Sequence, residues 1–147
     1  MTEDSDVRLH IYRTFVRTGR PPTAAETAGT LGISEDEAAN AYRRLHDGHV
    51  IVLEPDSLDV WMANPLSARP TGFRVRTADG RSYFGTCSWD GPGVLAMLGQ
   101  DGTVSTACPD CDEPLTMEIR GGELQPLGAV AHFAVPAATW WEDIGHT

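Results

Sequence analysis

Cysteine is scarce in this chain: Cys87, Cys108 and Cys111 are the only three among 147 residues. So small and odd a set argues against a disulfide framework and leaves free thiols for redox, metal or nucleophilic roles. Positive charge is also in short supply. Eleven basic residues stand against 21 acidic ones, for a formal charge of −10. Such a surface repels phosphate backbones and gives anionic membranes nothing to attract, so neither nucleic acid nor membrane is an expected partner. Long apolar runs are missing too. No stretch approaches the roughly 20 residues that a membrane helix needs. The acidic start Met1-Thr2-Glu3-Asp4-Ser5-Asp6 has none of the features of a signal peptide, and a cytoplasmic location is the expectation. His-Glu-x-x-His, Walker, nucleophile-elbow and dinucleotide-binding patterns are all absent.

What is present suits one compact domain, or two small ones sharing a core. Val7, Ile11, Phe15 and Val16 recur at helical spacing and predict a helix over 5–18, stopped by Gly19-Arg20-Pro21-Pro22. Thr23 with Glu26, and Ser34 with Glu37, have capping-box spacing. They predict helices running to about Thr30 and about Asp47. Residues 50–53 and 59–62 read as two strands around Pro55-Asp56-Ser57.

Three helices followed by a hairpin is the order of a winged helix-turn-helix, expected over residues 1–64. The third helix begins Glu35-Asp36-Glu37, acidic where a DNA reader would meet base edges. That favours a structural role over DNA reading.

The Pro- and Gly-bearing stretch 64–72 reads as a linker. After it, strands are expected over 73–77, 81–85, 104–107, 115–119 and 129–135, with a helix over 91–98. Trp140 and Trp141 follow on a short helical turn and are expected in the core. The expected class is α+β: a winged-helix-like region, then a small, mostly antiparallel sheet with a central helix over residues 65–147.

The segment Cys87-Ser88-Trp89-Asp90 opens that helix. A thiolate is a soft nucleophile and soft-metal ligand, and a helix N-terminus is expected to lower its pKa. Asp90 suits the role of N-cap. Shielded by Trp89, its carboxyl would also hold a proton for delivery beside the sulfur. Gly85, Gly91 and Gly93 would let a ligand or backbone come close. The plainer alternative is a buried small cysteine and an ordinary capping aspartate. Cys108-Pro109-Asp110-Cys111 is a single Cys-x-x-Cys, which reads as a surface turn or as a soft-metal pair. Cys87, Cys108 and Cys111 are thus the candidate metal-binding residues. His132, in an apolar run, reads as a core histidine.

The run from Gly85 to Gly99, Gly-Thr-Cys-Ser-Trp-Asp-Gly-Pro-Gly-Val-Leu-Ala-Met-Leu-Gly, resembles the active-site segment of organomercurial (alkylmercury) lyases. Trp61-Met62-Ala63-Asn64-Pro65-Leu66-Ser67 resembles the segment that joins the family's winged helix to its catalytic core. Cys108-Pro109, Glu113-Pro114-Leu115, His132-Phe133-Ala134-Val135-Pro136 and Trp140-Trp141-Glu142-Asp143-Ile144 resemble later core segments, in the same order.

The resemblance implies protonolysis of carbon–mercury bonds, with two cysteines holding mercury and an aspartate protonating the leaving carbon. Cys87 matches the first cysteine and Asp90 the aspartate. The second cysteine would follow the segment matching Asp143–Thr147. The resemblance therefore implies a homologue that lacks it here, with three explanations open: a naturally shortened chain with other chemistry, a sequence cut short before that cysteine, or a stand-in group, with Cys111 and His146 as the candidates. Cys108 matches a non-catalytic core cysteine. No cofactor is implied: mercury is substrate or product, and external thiols are acceptors. Two other readings stay open: a lyase or isomerase acting on a metal-free small molecule, and a non-catalytic metal-binding or regulatory protein.

Overall fold

The computed structural model describes residues 2–146. Three helices open the chain: α1 (Asp4–Thr18), α2 (Ala24–Leu31) and α3 (Glu35–Asp47). Their starts follow from local chemistry. Thr23 with Glu26 and Ser34 with Glu37 form reciprocal capping boxes, satisfying N–H groups that a helix start leaves unpaired. Gly19 and Gly32 end α1 and α2 at φ 79° and 68°, in the left-handed region that glycine enters without strain.

Eight strands follow: β1 (Val52–Leu53), β2 (Val60–Ala63), β3 (Leu66–Ser67), β4 (Arg74–Thr77), β5 (Ser82–Gly85), β6 (Gly102–Ala107), β7 (Pro114–Arg120) and β8 (Glu123–Leu124). They form one sheet in the order β1-β2-β3-β5-β4-β6-β7-β8, and all neighbours are antiparallel. Helix α4 (Asp90–Leu98) lies between β5 and β6 in sequence and packs across β4 to β7. The α+β class with a mostly antiparallel sheet and a helix against it is therefore observed.

Strand β4 alternates outward Arg74 and Arg76 with inward Val75 and Thr77, as one covered face requires. Val94 and Leu95 of α4 are fully buried in the same core as Val75, Tyr83, Val104, Met117 and Ile119. That core runs on without a break into Val7, Ile11, Phe15, Tyr42 and Leu45 of the helical region. The Tyr83 hydroxyl donates to Val16 O at 2.6 Å and ties β5 to α1.

Three expectations need correction. The stretch 64–72 is more than a linker: β3 sits inside it and pairs with both β2 and β5, so a single sheet crosses residue 64. Residues 129–135 form no strand. Val130 is 93% exposed and His132 is exposed, because the sheet ends at β8 and no described strand pairs with this run. His132 is thus not a core histidine. Trp140 and Trp141, on a short 3-10 helix at Ala137–Glu142, are half-buried and lie outside the core. Trp141 stacks on His49 at 4.1 Å between ring centroids, and Trp140 Nε1 donates to Val135 O at 3.0 Å. Among the described residues, no helix is long and apolar enough to cross a membrane.

Candidate active site

The site is built where β5 runs out and turns into α4. Gly85 is the last residue of β5, and it has no room for a side chain. A Cβ there would lie 2.6 Å from Gly91 Cα and 2.7 Å from Gly91 N. A Cβ on Gly91 would in turn lie 2.8 Å from Val104 Cγ1. The two glycines therefore let the first turn of α4 seat directly on the strand end, so the close approach is by backbone. Gly85→Ala is expected to push this turn away and cost about 1–3 kcal/mol, as overpacking does. A urea unfolding midpoint that matches wild type would show the contact to be slack.

Between strand and helix, Cys87 is half-buried and reduced. Its carbonyl accepts from Gly91 N–H at 2.9 Å, which folds Cys87–Gly91 into a single turn. Thr86 N–H donates to Pro65 O at 3.3 Å and anchors the turn to the chain before β3.

Asp90 is the first residue of α4, not its cap. The cap position is Trp89, which makes no side-chain capping bond. The Asp90 carboxyl instead accepts from Thr86 Oγ1 and lies beside the Cys87 sulfur. Trp89 does not shield it, being 72% exposed. Trp89, but neither Cys87 nor Asp90, lines an open apolar groove of about 600 Å³, together with Phe133, Ala134, Val135, Pro136, Ala137 and Trp140.

The expected low-pKa thiol is also corrected. Burial pushes the Cys87 thiol up, the Asp90 N–H facing the sulfur pulls the other way, and the Asp90 carboxylate pushes up again by repelling a thiolate. At neutral pH the resting sulfur carries its proton, and an acceptor for that proton lies next to it. The sign gives a test. Removing the carboxylate's repulsion in Asp90→Asn lowers the Cys87 pKa, so the pH profile of iodoacetamide alkylation at Cys87 is expected to move down. A shift upward, or none, would separate the two groups.

Tyr12 and Thr86 are site neighbours that the sequence reading missed. The Tyr12 hydroxyl donates to Asn64 O at 2.8 Å. Burial raises its pKa, and the Asp90 carboxylate adds to the rise, so the phenol of α1 lies within electrostatic reach of the site. Thr86 carried a visible signal, since it stands one residue before Cys87 in the motif. Tyr12 carried none, because only the fold brings α1 to the end of β5.

Cys108 and Cys111 occupy the loop between β6 and β7. Cys108 is half-buried, Cys111 is exposed, and neither belongs to the hydrophobic core, so Cys108 is no core cysteine here. The N–H groups of Asp110 and Cys111 and the Cys111 thiol hold the Cys108 pKa below the ordinary cysteine value. Among the described residues, no group of three or more His, Cys, Asp or Glu side chains is placed to hold a metal ion. His146 is exposed and pairs with Asp143 at 2.8 Å.

Fold and site together define an α+β protein with a thiol–carboxyl pair at a helix start, at one end of an antiparallel sheet. The family model described as MerB, alkylmercury lyase, matches residues 66–147, and the chain belongs to that family. Among solved structures, the chain is similar to one titled "Crystal structure of the mercury-bound form of MerB2", with a TM-score of 0.65 at 22% identity. The match covers 82% of this chain and 59% of that one, so this chain spans less than two thirds of its solved relative. Comparison with curated proteins finds no match.

Proposed function

We propose that the chain is an organomercurial-lyase-like protein that cleaves carbon–mercury bonds by protonolysis at Cys87 and Asp90. The observation that carries this reading is the Asp90 carboxyl lying beside a protonated, half-buried Cys87 thiol. Sulfur is the softest donor a protein offers, and mercury is a soft acceptor.

In the first step the Cys87 sulfur bonds to mercury and displaces the thiolate that brought it. The thiol proton passes to Asp90. In the second step the protonated Asp90 gives that proton to the carbon, the carbon–mercury bond breaks and the hydrocarbon leaves. The displaced external thiolate returns to mercury as its second sulfur. A further external thiol then gives its proton back to Cys87 and carries Hg(II) away between two small thiolates. No electrons are gained or lost, and no resident cofactor is needed.

Thr86 holds the carboxyl in place through its hydroxyl. The apolar groove at Trp89 suits an organic substituent on a small-molecule substrate. The helical region 1–64, of winged-helix type, serves as a support: α1 places Tyr12 near Asp90, while the acidic start of α3 does not suit nucleic acid.

The test uses wild-type protein, phenylmercury and excess small thiol in D₂O. The expected product is benzene carrying one deuterium, released over many turnovers. Benzene formation no faster than with the thiol alone would end this reading.

A further inference from the structure

The loop joining β6 to β7 folds two more sulfurs together. Cys108 N–H donates to Glu113 O at 2.9 Å and closes the loop. Asp112 N–H returns to Cys108 O at 2.9 Å, with Asp112 at φ 58°. This turn brings the Cys111 thiol beside the Cys108 sulfur, and the amides of Asp110 and Cys111 face the same atom. Cys111 is exposed, so the pair is open to solvent. Asp110, Asp112 and Glu113, next to the pair in sequence, are exposed acidic residues whose charge draws cations in.

The loop also stands at the right end of the sheet. Strand β4 pairs Arg74 with both Phe84 of β5 and Ser105 of β6. The ends of β5 and β6 therefore leave the sheet on the same side, with β4 between them. Cys87 and Cys108 follow those ends, two strand spacings apart, on the order of 10 Å across the sheet.

The geometry points to Cys108 and Cys111 as a second, non-catalytic site that chelates a soft two-coordinate cation, Hg(II), between two thiolates. Two sulfurs without a third ligand match the linear preference of Hg(II) and leave a tetrahedral zinc site incomplete. Given the lyase reading, the pair receives the product ion. Hg(II) bound to Cys87 and one external thiolate moves onto Cys108 and Cys111. Cys87 and the external sulfur leave as thiols, taking up the two protons that Cys108 and Cys111 release. Two mercury–sulfur bonds break, two form, and no redox change occurs.

The full-length chain, kept reduced, is loaded with Hg(II), exchanged against excess small monothiol, and separated by gel filtration. Mercury per chain is counted, and the sulfur neighbours are read by X-ray absorption. Cys87→Ser is expected to retain one mercury per chain with two sulfur neighbours. Cys108→Ser combined with Cys111→Ser is expected to retain it on the order of 10²-fold less well, because the chelate is gone. Either single substitution should behave like the double one.

A Cys87→Ser protein that retains no mercury would overturn the second site, and so would a double variant that retains mercury as well as Cys87→Ser does. The two readings fail separately. Wild type that cleaves phenylmercury while Cys87→Ser retains nothing refutes only the chelating pair. Wild type that cannot cleave while Cys87→Ser retains mercury refutes only the lyase chemistry.

Discussion

Replacing Asp90 with Asn is expected to slow carbon–mercury cleavage by about 10²–10⁴-fold while leaving mercury capture at Cys87 intact, the loss typical of a missing general acid. The carboxamide keeps the shape of the side chain and still accepts from Thr86 Oγ1, so the turn before α4 holds. What it loses is the capacity to take the thiol proton and return it to carbon. The split between capture and cleavage is the signature. Mass spectrometry should find a phenylmercury adduct on the peptide containing Cys87, and gas chromatography should find little benzene. Near-normal benzene release would mean that solvent or another group protonates the carbon.

The second large effect is expected from Cys87→Ser. A serine hydroxyl is a hard donor, with a proton held far too tightly to yield an alkoxide for mercury at neutral pH. Cleavage should fall to the rate of the external thiol alone, a greater loss than in Asp90→Asn, because capture and proton supply both disappear. The change removes no packing of consequence, since Cys87 lies outside the hydrophobic core. An unchanged unfolding midpoint would show that the loss is chemical. Substantial turnover in this variant would move the chemistry to Cys108 and Cys111.

Both effects depend on a turn that was partly legible in the sequence. Helix α1 was readable from its apolar spacing, and α2 and α3 because their start signals are local: a capping residue and a glutamate three positions on, observed at Thr23–Glu26 and Ser34–Glu37. Helix α4 was readable from Gly99 at its end and the apolar run before it. The pairing of β3 was hidden, because its partners lie on both sides of it and a Pro-rich stretch gives no sign of either. The apolar run 129–135 misled for the opposite reason. A strand pattern needs a neighbour to pair with, and no described strand supplies one.

At the site, the residue types were legible and their electrostatics were not. Cys87 and Asp90 fall together because a single turn closes between Cys87 O and Gly91 N. The expected depression of the thiol pKa failed because burial and the adjoining carboxylate outweigh the amide that faces the sulfur. Nothing local announces that balance. Trp89 was expected as a shield and is an exposed wall of the groove.

The most direct test is a crystal structure of the Asp90→Asn protein soaked with phenylmercury and trapped before cleavage. The expected density places mercury on Cys87 Sγ, its phenyl group still attached and the bonded carbon facing the residue 90 side chain. Mercury found only on Cys108 and Cys111, or a carbon–mercury bond turned away from residue 90, would contradict a shared thiol–carboxyl site.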